Sequence, residues 1–294
     1  MTLENTITVE INEWIDKAKA DPKAYMERQA TEVFLTALGM TKPYAHEIYL
    51  KGGVLMGVVY NSPRQTGDID FTAISDPDPK IADEIREKLN ASFPRAAAEL
   101  GYPTLMCAIQ SSRYYPSEKM FPKATGPALK LHVGYAHRGS PQEKGFERGK
   151  ATDILEIDIS FREPVNAIQL VRMGKGGGEV HAYSLSDLIA EKLRALLQQE
   201  KRNRNRRQDI YDVDSLIGTF TLNEQEKESL LKLLRIKCKA RDIEPERNSL
   251  GREEIRTRAQ KEWQTMKLEI GEVPDFDECF ERVNDFYYSL PWSH

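Results

Sequence analysis

Asp68 and Asp70 lie two residues apart in the alternating segment DIDFTAI. The alternation sets Asp68, Asp70 and Thr72 on one face of a strand and Ile69, Phe71 and Ala73 on the other. Like charges held this close repel unless a cation lies between them, so the pair either binds metal or stands in open solvent. For an isolated DxD, solvent is the commoner answer. A second alternating segment, 153–161, sets Ile154, Glu156, Asp158 and Ser160 against Leu155, Ile157, Ile159 and Phe161. If it lies beside the first segment in one sheet, Asp158 becomes a third carboxylate, with Glu156 in reserve. Lys51, Gly52 and Gly53 fall between a predicted strand and a predicted helix, where paired glycines let backbone N–H groups approach a phosphate. Alone, such a pair is more often a tight connection. Taken together, these groups could hold two Mg²⁺ ions against a nucleoside triphosphate, one at the attacking oxygen and one at the leaving pyrophosphate.

Positioning these groups takes a defined set of elements. Ile7, Ile11, Trp14 and Ile15 recur at helical spacing, as do Val33, Phe34 and Leu38, predicting helices over 7–19 and 23–39 with Gly39 closing the second. A short strand runs into Leu50, and a helix follows over 54–60, ended by Ser62 and Pro63. A helix over 79–100 should break near Pro94. Strands are predicted over 104–110, 128–136 and 153–161. The glycine cluster 174–178, GKGGG, lacks a Walker pattern and precedes a short strand, so it reads as a flexible turn. From Ser184 onward the pattern is helical: 185–200, 208–218, 223–240, 251–268 and 275–288. This divides the chain into a mixed α/β half, 1–182, and a helical half, 183–294, with no internal repeat.

Composition narrows the class. The chain has 294 residues, 40% apolar and 30% charged, enough for a real core and inconsistent with large-scale disorder. No run approaches the ~20 apolar residues of a membrane span, and the acidic N-terminus lacks the features of a secretory signal, so a cytoplasmic protein is expected. Cys107, Cys238 and Cys279 are an odd, widely spaced set, which argues for buried free thiols rather than disulfides or zinc. The five histidines show no metal-ligand spacing. Lys plus Arg number 42 and Asp plus Glu 46, a net charge of −4, yet Lys201, Arg202, Arg204, Arg206 and Arg207 fall within the seven residues KRNRNRR. That run is either a solvated loop or a patch for RNA phosphates. Tyr114, Tyr115, Tyr287 and Tyr288 are read as packing residues rather than base platforms.

The string KGGVLMGVVYNSPRQTGDIDF, with KGG, Arg64, Thr66 and DIDF in order, resembles the first motif of the AbiEii/AbiGii toxin family. These are nucleotidyltransferase-fold proteins of bacterial abortive-infection and toxin–antitoxin systems. AYSLSDLIAEKLRALLQQ looks like the family's EKL-containing helix, and RRQDIYDVDSLI looks like its closing RDxxDL block. The resemblance runs from about residue 30 to 218. It departs at Gln208, where the family usually has arginine, and over 76–150.

The resemblance implies an α+β fold: a polymerase-β-like nucleotidyltransferase core, a mixed sheet with flanking helices, and a C-terminal helical domain completing the cleft. It implies nucleotide binding by Lys51, Gly52, Gly53, Thr66 and Lys192, metal ligation by Asp68, Asp70 and Asp158, and catalytic roles for these three aspartates with Lys192 and Asp209. A mobile ammonium at Lys192 suits a triphosphate clamp, although an exposed helix lysine paired with an acid is the plainer reading. Asp209 could cap its helix, orient Lys192 or accept a proton, and Asp212, one turn on, could share the task. The implied function is Mg²⁺-dependent transfer of a nucleotidyl group from an NTP to RNA, above all the 3′ end of tRNA, which blocks translation. A cognate antitoxin is the implied partner, with direct contact left open. The alternatives are a protein hydroxyl or an aminoglycoside-like acceptor, and a catalytically silent binding module.

Overall fold

The computed structural model describes residues 2–64, 66–174 and 177–292. Its strands are β1 (Thr2–Val9), β2 (Ile48–Lys51), β3 (Asp68–Ala73), β4 (Leu105–Tyr115), β5 (Ala128–His137), β6 (Asp153–Phe161), β7 (Ala167–Met173) and β8 (Glu179–Tyr183). The helices of the first half are α1 (Ile11–Asp16), α2 (Pro22–Gly39), α3 (Tyr44–Glu47), α4 (Gly52–Val59), α5 (Ile81–Glu99) and α6 (Glu143–Glu147). After β8 the described elements are all helical: α7 (Leu185–Leu197), α8 (Gln199–Arg202), α9 (Arg207–Thr219), α10 (Glu224–Lys239), α11 (Glu253–Gln260), α12 (Lys267–Ile270) and α13 (Phe276–Tyr288). The fold is α+β, as the motifs implied.

The strands form one mixed sheet in the order β1-β7-β8-β2-β3-β6-β5-β4. β3 runs parallel to β6 and antiparallel to β2, so the DID segment sits between the glycine corner and the second acidic strand. The alternation of β3 and β6 divides as the sequence indicates: Ile69, Phe71, Leu155, Ile157, Ile159 and Phe161 are buried. Beneath them α2 and α5 pack, with Phe34 touching Phe71 at 5.8 Å and Phe93 at 6.3 Å between ring centroids. The opposite face carries the carboxylates. In the helical half, α7 buries Leu188, Ile189, Leu193 and Leu196, and Ser184 caps it by accepting from the Asp187 N–H. The buried apolar side chains form one contiguous cluster from Ile11 to Leu290, so α7 to α13 pack onto the same core as the sheet.

Three expectations are corrected and one strand is added. Residues 7–19 are not one helix: Thr2–Val9 is an edge strand held by parallel pairing to β7, and α1 covers only Ile11–Asp16. Ile7 matched the helical period by chance, and the pairing that fixes it comes from residues about 160 positions away, beyond the reach of local periodicity. α5 passes through Pro94 without ending, because that ring faces solvent while Phe93, Ala96 and Ala97 are packed beneath the sheet. β7 was not anticipated. The helix predicted over 251–268 breaks after Gln260, where Glu262 takes φ +61° ahead of a 3₁₀ turn over Trp263–Met266. Of the glycine turn 174–178, Lys175 and Gly176 lie outside the described residues. The three cysteines are free and buried.

Candidate active site

The site begins at the junction of β2 and α4. Gly52 has φ +69°, and a Cβ there would overlap the Asp70 carboxylate. At Gly53 a Cβ would come within 2.7 Å of Thr66 Oγ1. Both glycines are therefore required by close approach, the first also by backbone conformation. The corner opens the N-terminal turn of α4, whose first N–H groups have no intrahelical partner. Register then fixes the acids: Lys51 pairs with Asp70 across β2 and β3, and Asp70 pairs with Asp158, and Asp68 with Glu156, across β3 and β6. The carboxylates of Asp68, Asp70 and Asp158 all line one open cavity of about 770 Å³ beside the glycine corner.

The electrostatics of the three acids differ. Burial, reinforced by Asp158 and Asp68 and only partly opposed by Lys51, pushes the Asp70 carboxyl up to about 6. Asp68 is raised too, by desolvation and by the charges of Glu156 and Asp158. Asp158 Oδ2 meets Lys130 Nζ at 3.0 Å, while its Oδ1 is buried and without a hydrogen-bond partner. Among the described residues no group of three His, Cys, Asp or Glu side chains is gathered into a metal-holding arrangement, consistent with Asp158 being drawn toward Lys130. The donor set nevertheless fits a hard divalent ion: all ligand atoms are oxygens, one is orphaned, and one carboxyl carries a repulsion that a cation would relieve.

Across the cavity stands the helical wall. Lys192 on α7 is only 6% exposed, which overturns the reading of an exposed helix lysine. It donates to Asp212 Oδ2 at 2.6 Å and Asp209 Oδ1 at 3.3 Å. Burial favours the neutral amine, yet the two carboxylates outweigh it and hold Lys192 protonated above its ordinary range. Asp212, fully buried, also accepts from Arg64 Nε and Nη2, both at 3.2 Å, and the two cations keep its carboxyl low despite desolvation. Asp209 keeps one buried oxygen without a hydrogen bond.

A family model described as the nucleotidyl transferase AbiEii toxin of type IV toxin–antitoxin systems matches residues 33–282. The chain belongs to the AbiEii nucleotidyltransferase toxin family. No curated protein matches it. Among solved structures it is similar to MenT4, a nucleotidyltransferase toxin from Mycobacterium tuberculosis H37Rv, at 16% identity and TM-score 0.59, over 95% of this chain and 90% of that one. JHP933 from Helicobacter pylori aligns over 90% of each chain at 12% identity, with a TM-score of 0.47. The first likeness supports a shared fold.

Three features of this AbiEii-family site were not legible in the sequence. Glu163 follows Arg162, a residue at φ +57°, just beyond β6. It pairs with Lys51, accepts from Thr72 Oγ1 at 3.0 Å and meets Arg241 Nη2 at 3.2 Å. Burial would raise the Glu163 carboxyl, but Lys51 and then Arg194 and Arg241 hold it at about 2. The Lys51 ammonium is thus committed to Glu163, and both residues line the cavity beside the glycine corner. Arg64, noted only as part of a motif, is the strut from the loop before β3 to α9. Lys130 reaches Asp158 from β5. A lysine facing an aspartate in strand register signals such a pair, but only once the β5–β6 pairing is known.

The basic run divides. Arg202, Arg204 and Arg206 line the cavity. Lys201 turns away to donate to the carbonyls of Arg241 and Asp242, and Arg207 pairs with Glu262 and Glu269. Gln208, where the motif departs, donates to both oxygens of Glu269. Of the four tyrosines read as packing residues, Tyr287 is buried and Tyr114 packs on Phe121, whereas Tyr288 is 45% exposed with Arg247 over its ring.

Proposed function

We propose that this toxin transfers a nucleotidyl group from an NTP to the 3′ end of tRNA, with Mg²⁺ held by Asp68, Asp70 and Asp158. The observation that carries the reading is the in-register Asp70–Asp158 pair beside Gly52, facing a buried Lys192 across a single cavity. In an in-line displacement the acceptor hydroxyl oxygen forms a bond to the α-phosphorus as the bond to pyrophosphate breaks. Mg²⁺, when bound, supplies Lewis acidity at the attacking and leaving oxygens. Gly52, Gly53 and Thr66 form the phosphate corner, where the missing Cβ atoms let Asp70 and Thr66 close on the first turn of α4, whose free backbone N–H groups suit a phosphate. Lys192, kept charged by Asp212 and Asp209, stabilises the charge that grows on the pyrophosphate. Asp209 shares its first oxygen with Lys192, while its second, 3.7 Å from Arg206 Nη1 and without a hydrogen bond, is the one suited to receiving the hydroxyl proton.

Arg202, Arg204 and Arg206 are assigned to RNA phosphates at the cavity mouth. Lys201 and Arg207 support that segment instead. The partner is RNA, and a cognate antitoxin neutralises the activity. No described helix is long and apolar enough to cross a membrane, and action in the cytoplasm is the setting proposed.

The test is incubation with each labelled NTP and Mg²⁺ in the presence of total RNA, cell protein or an aminoglycoside panel. Label is expected in small RNA alone. Label in protein or in an aminoglycoside would replace the RNA acceptor, and absence of transfer with every NTP would leave the silent-module alternative.

A further inference from the structure

Lys130 lies outside the KGG, DIDF, EKL and RDxxDL blocks and does not line the cavity, yet its ammonium meets the third carboxylate. β5 runs antiparallel to β6 with Lys130 directly opposite Asp158, and Asp158 is directly opposite Asp70 on the far side. The row Lys130, Asp158, Asp70 crosses three strands in one register line, on the face left free by α2 and α5. The ammonium sits 3.0 Å from Asp158 Oδ2, while Oδ1 of the same carboxylate is buried without any partner. Lys130 is the only cation paired with the three acids among the described residues, since Lys51 is bound by Glu163 and Lys192 by Asp212 and Asp209. Its side chain is 34% exposed, so it can swing away into water without leaving a buried charge behind.

We infer that Lys130 is a built-in counter-ion that holds Asp158 when no metal is bound and competes with the divalent ion for that carboxylate. This rests on the metal reading of Asp68, Asp70 and Asp158. The physical reason is that Asp70 and Asp158, opposite one another in register, repel without a cation, and a tethered ammonium from the neighbouring strand relieves part of that repulsion at an entropy cost smaller than recruiting an ion from solution. A metal arriving at Asp158 must displace it. Lys130 therefore tunes metal affinity downward, and is a positioning residue for Asp158 rather than a group that touches substrate.

The test is Mn²⁺ binding without nucleotide, measured by the loss of free-ion electron paramagnetic resonance signal at low salt. Lys130→Met, which keeps the apolar stem, is expected to bind Mn²⁺ on the order of tenfold tighter than the unaltered protein. Lys130→Gln is expected to follow it, and Lys130→Arg to stay near the unaltered value. In an Asp158→Asn background the Lys130→Met gain should vanish. Equal or weaker Mn²⁺ binding by both neutral variants, each confirmed folded by its melting transition, overturns the counter-ion role while leaving the metal site standing. Mn²⁺ binding by none of the proteins overturns the metal reading and the inference together.

Discussion

At the residue scale the proposed function rests on the acids and their cations. Asp70→Ala is expected to lower nucleotidyl transfer at least ~100-fold and to abolish growth inhibition, with the melting temperature unchanged or raised, because burial beside two like charges makes the ionised Asp70 costly. Retained toxicity would refute the enzyme reading. The pH dependence follows in sign. With its carboxyl at about 6 in the folded metal-free protein, Asp70 takes up a proton on folding between about 6 and its ordinary value. Stability from this group is therefore present in acid and is lost as pH rises through about 6. Metal binding needs the anion, so Mn²⁺ affinity should climb from pH 5 and level off above about 6. A flat profile would remove Asp70 from the ligand set. Glu163 has the opposite sign: its depressed carboxyl contributes stability above the ordinary glutamate range, lost as pH falls toward about 2. Glu163→Gln should cost about 3 kcal/mol, since Lys51 and Arg241 are left buried without their anion. The Lys51→Met, Glu163→Gln double variant should lose less than the sum of the singles in denaturant titrations.

At the scale of elements, the β2–α4 corner and the α7–α9 pair set the geometry. Gly52→Ala places a side chain at φ +69° and against Asp70, for a conformational cost of about 1–2 kcal/mol before any displacement of the carboxylate. It should reduce transfer more steeply than stability, a split read by comparing kcat with the melting midpoint. Asp212 binds α9 to α7 through Lys192 and to the loop before β3 through Arg64. The element pattern explains what was readable: DIDFTAI and DILEIDISF alternate because one face packs on α2 and α5 while the other lines the cleft, so their strand nature and polar face follow from period two alone. β1 was unreadable because an edge strand is stabilised by its pairing with β7, not by an apolar face.

For the whole molecule, the sheet and the helical half close around one cavity, and Arg202, Arg204 and Arg206 reach it from between α7 and α9. Binding to tRNA is expected to weaken with salt, and the Arg202→Ala, Arg204→Ala double variant should lessen the log–log slope by roughly 0.7 to 0.9 per contact removed. Its effect should fall on the acceptor's KM and spare that of the NTP. Lys201→Ala, whose ammonium is turned to two backbone carbonyls, is the matched control and should leave the slope unchanged. An equal slope in the double variant would take the patch out of RNA binding.

The sequence by itself determined the strand and polar face of Asp68, Asp70 and Asp158, the glycine corner, the α+β class and the family, because periodicity and ordered motifs are local properties of the chain. Tertiary structure alone decided which strands are neighbours, and with them the Asp70–Asp158 register, the Lys130 and Glu163 pairs, and the burial that turns Lys192 from a surface lysine into a held charge. Those depend on residues up to more than a hundred positions apart being brought within hydrogen-bond reach, and no local pattern encodes that distance.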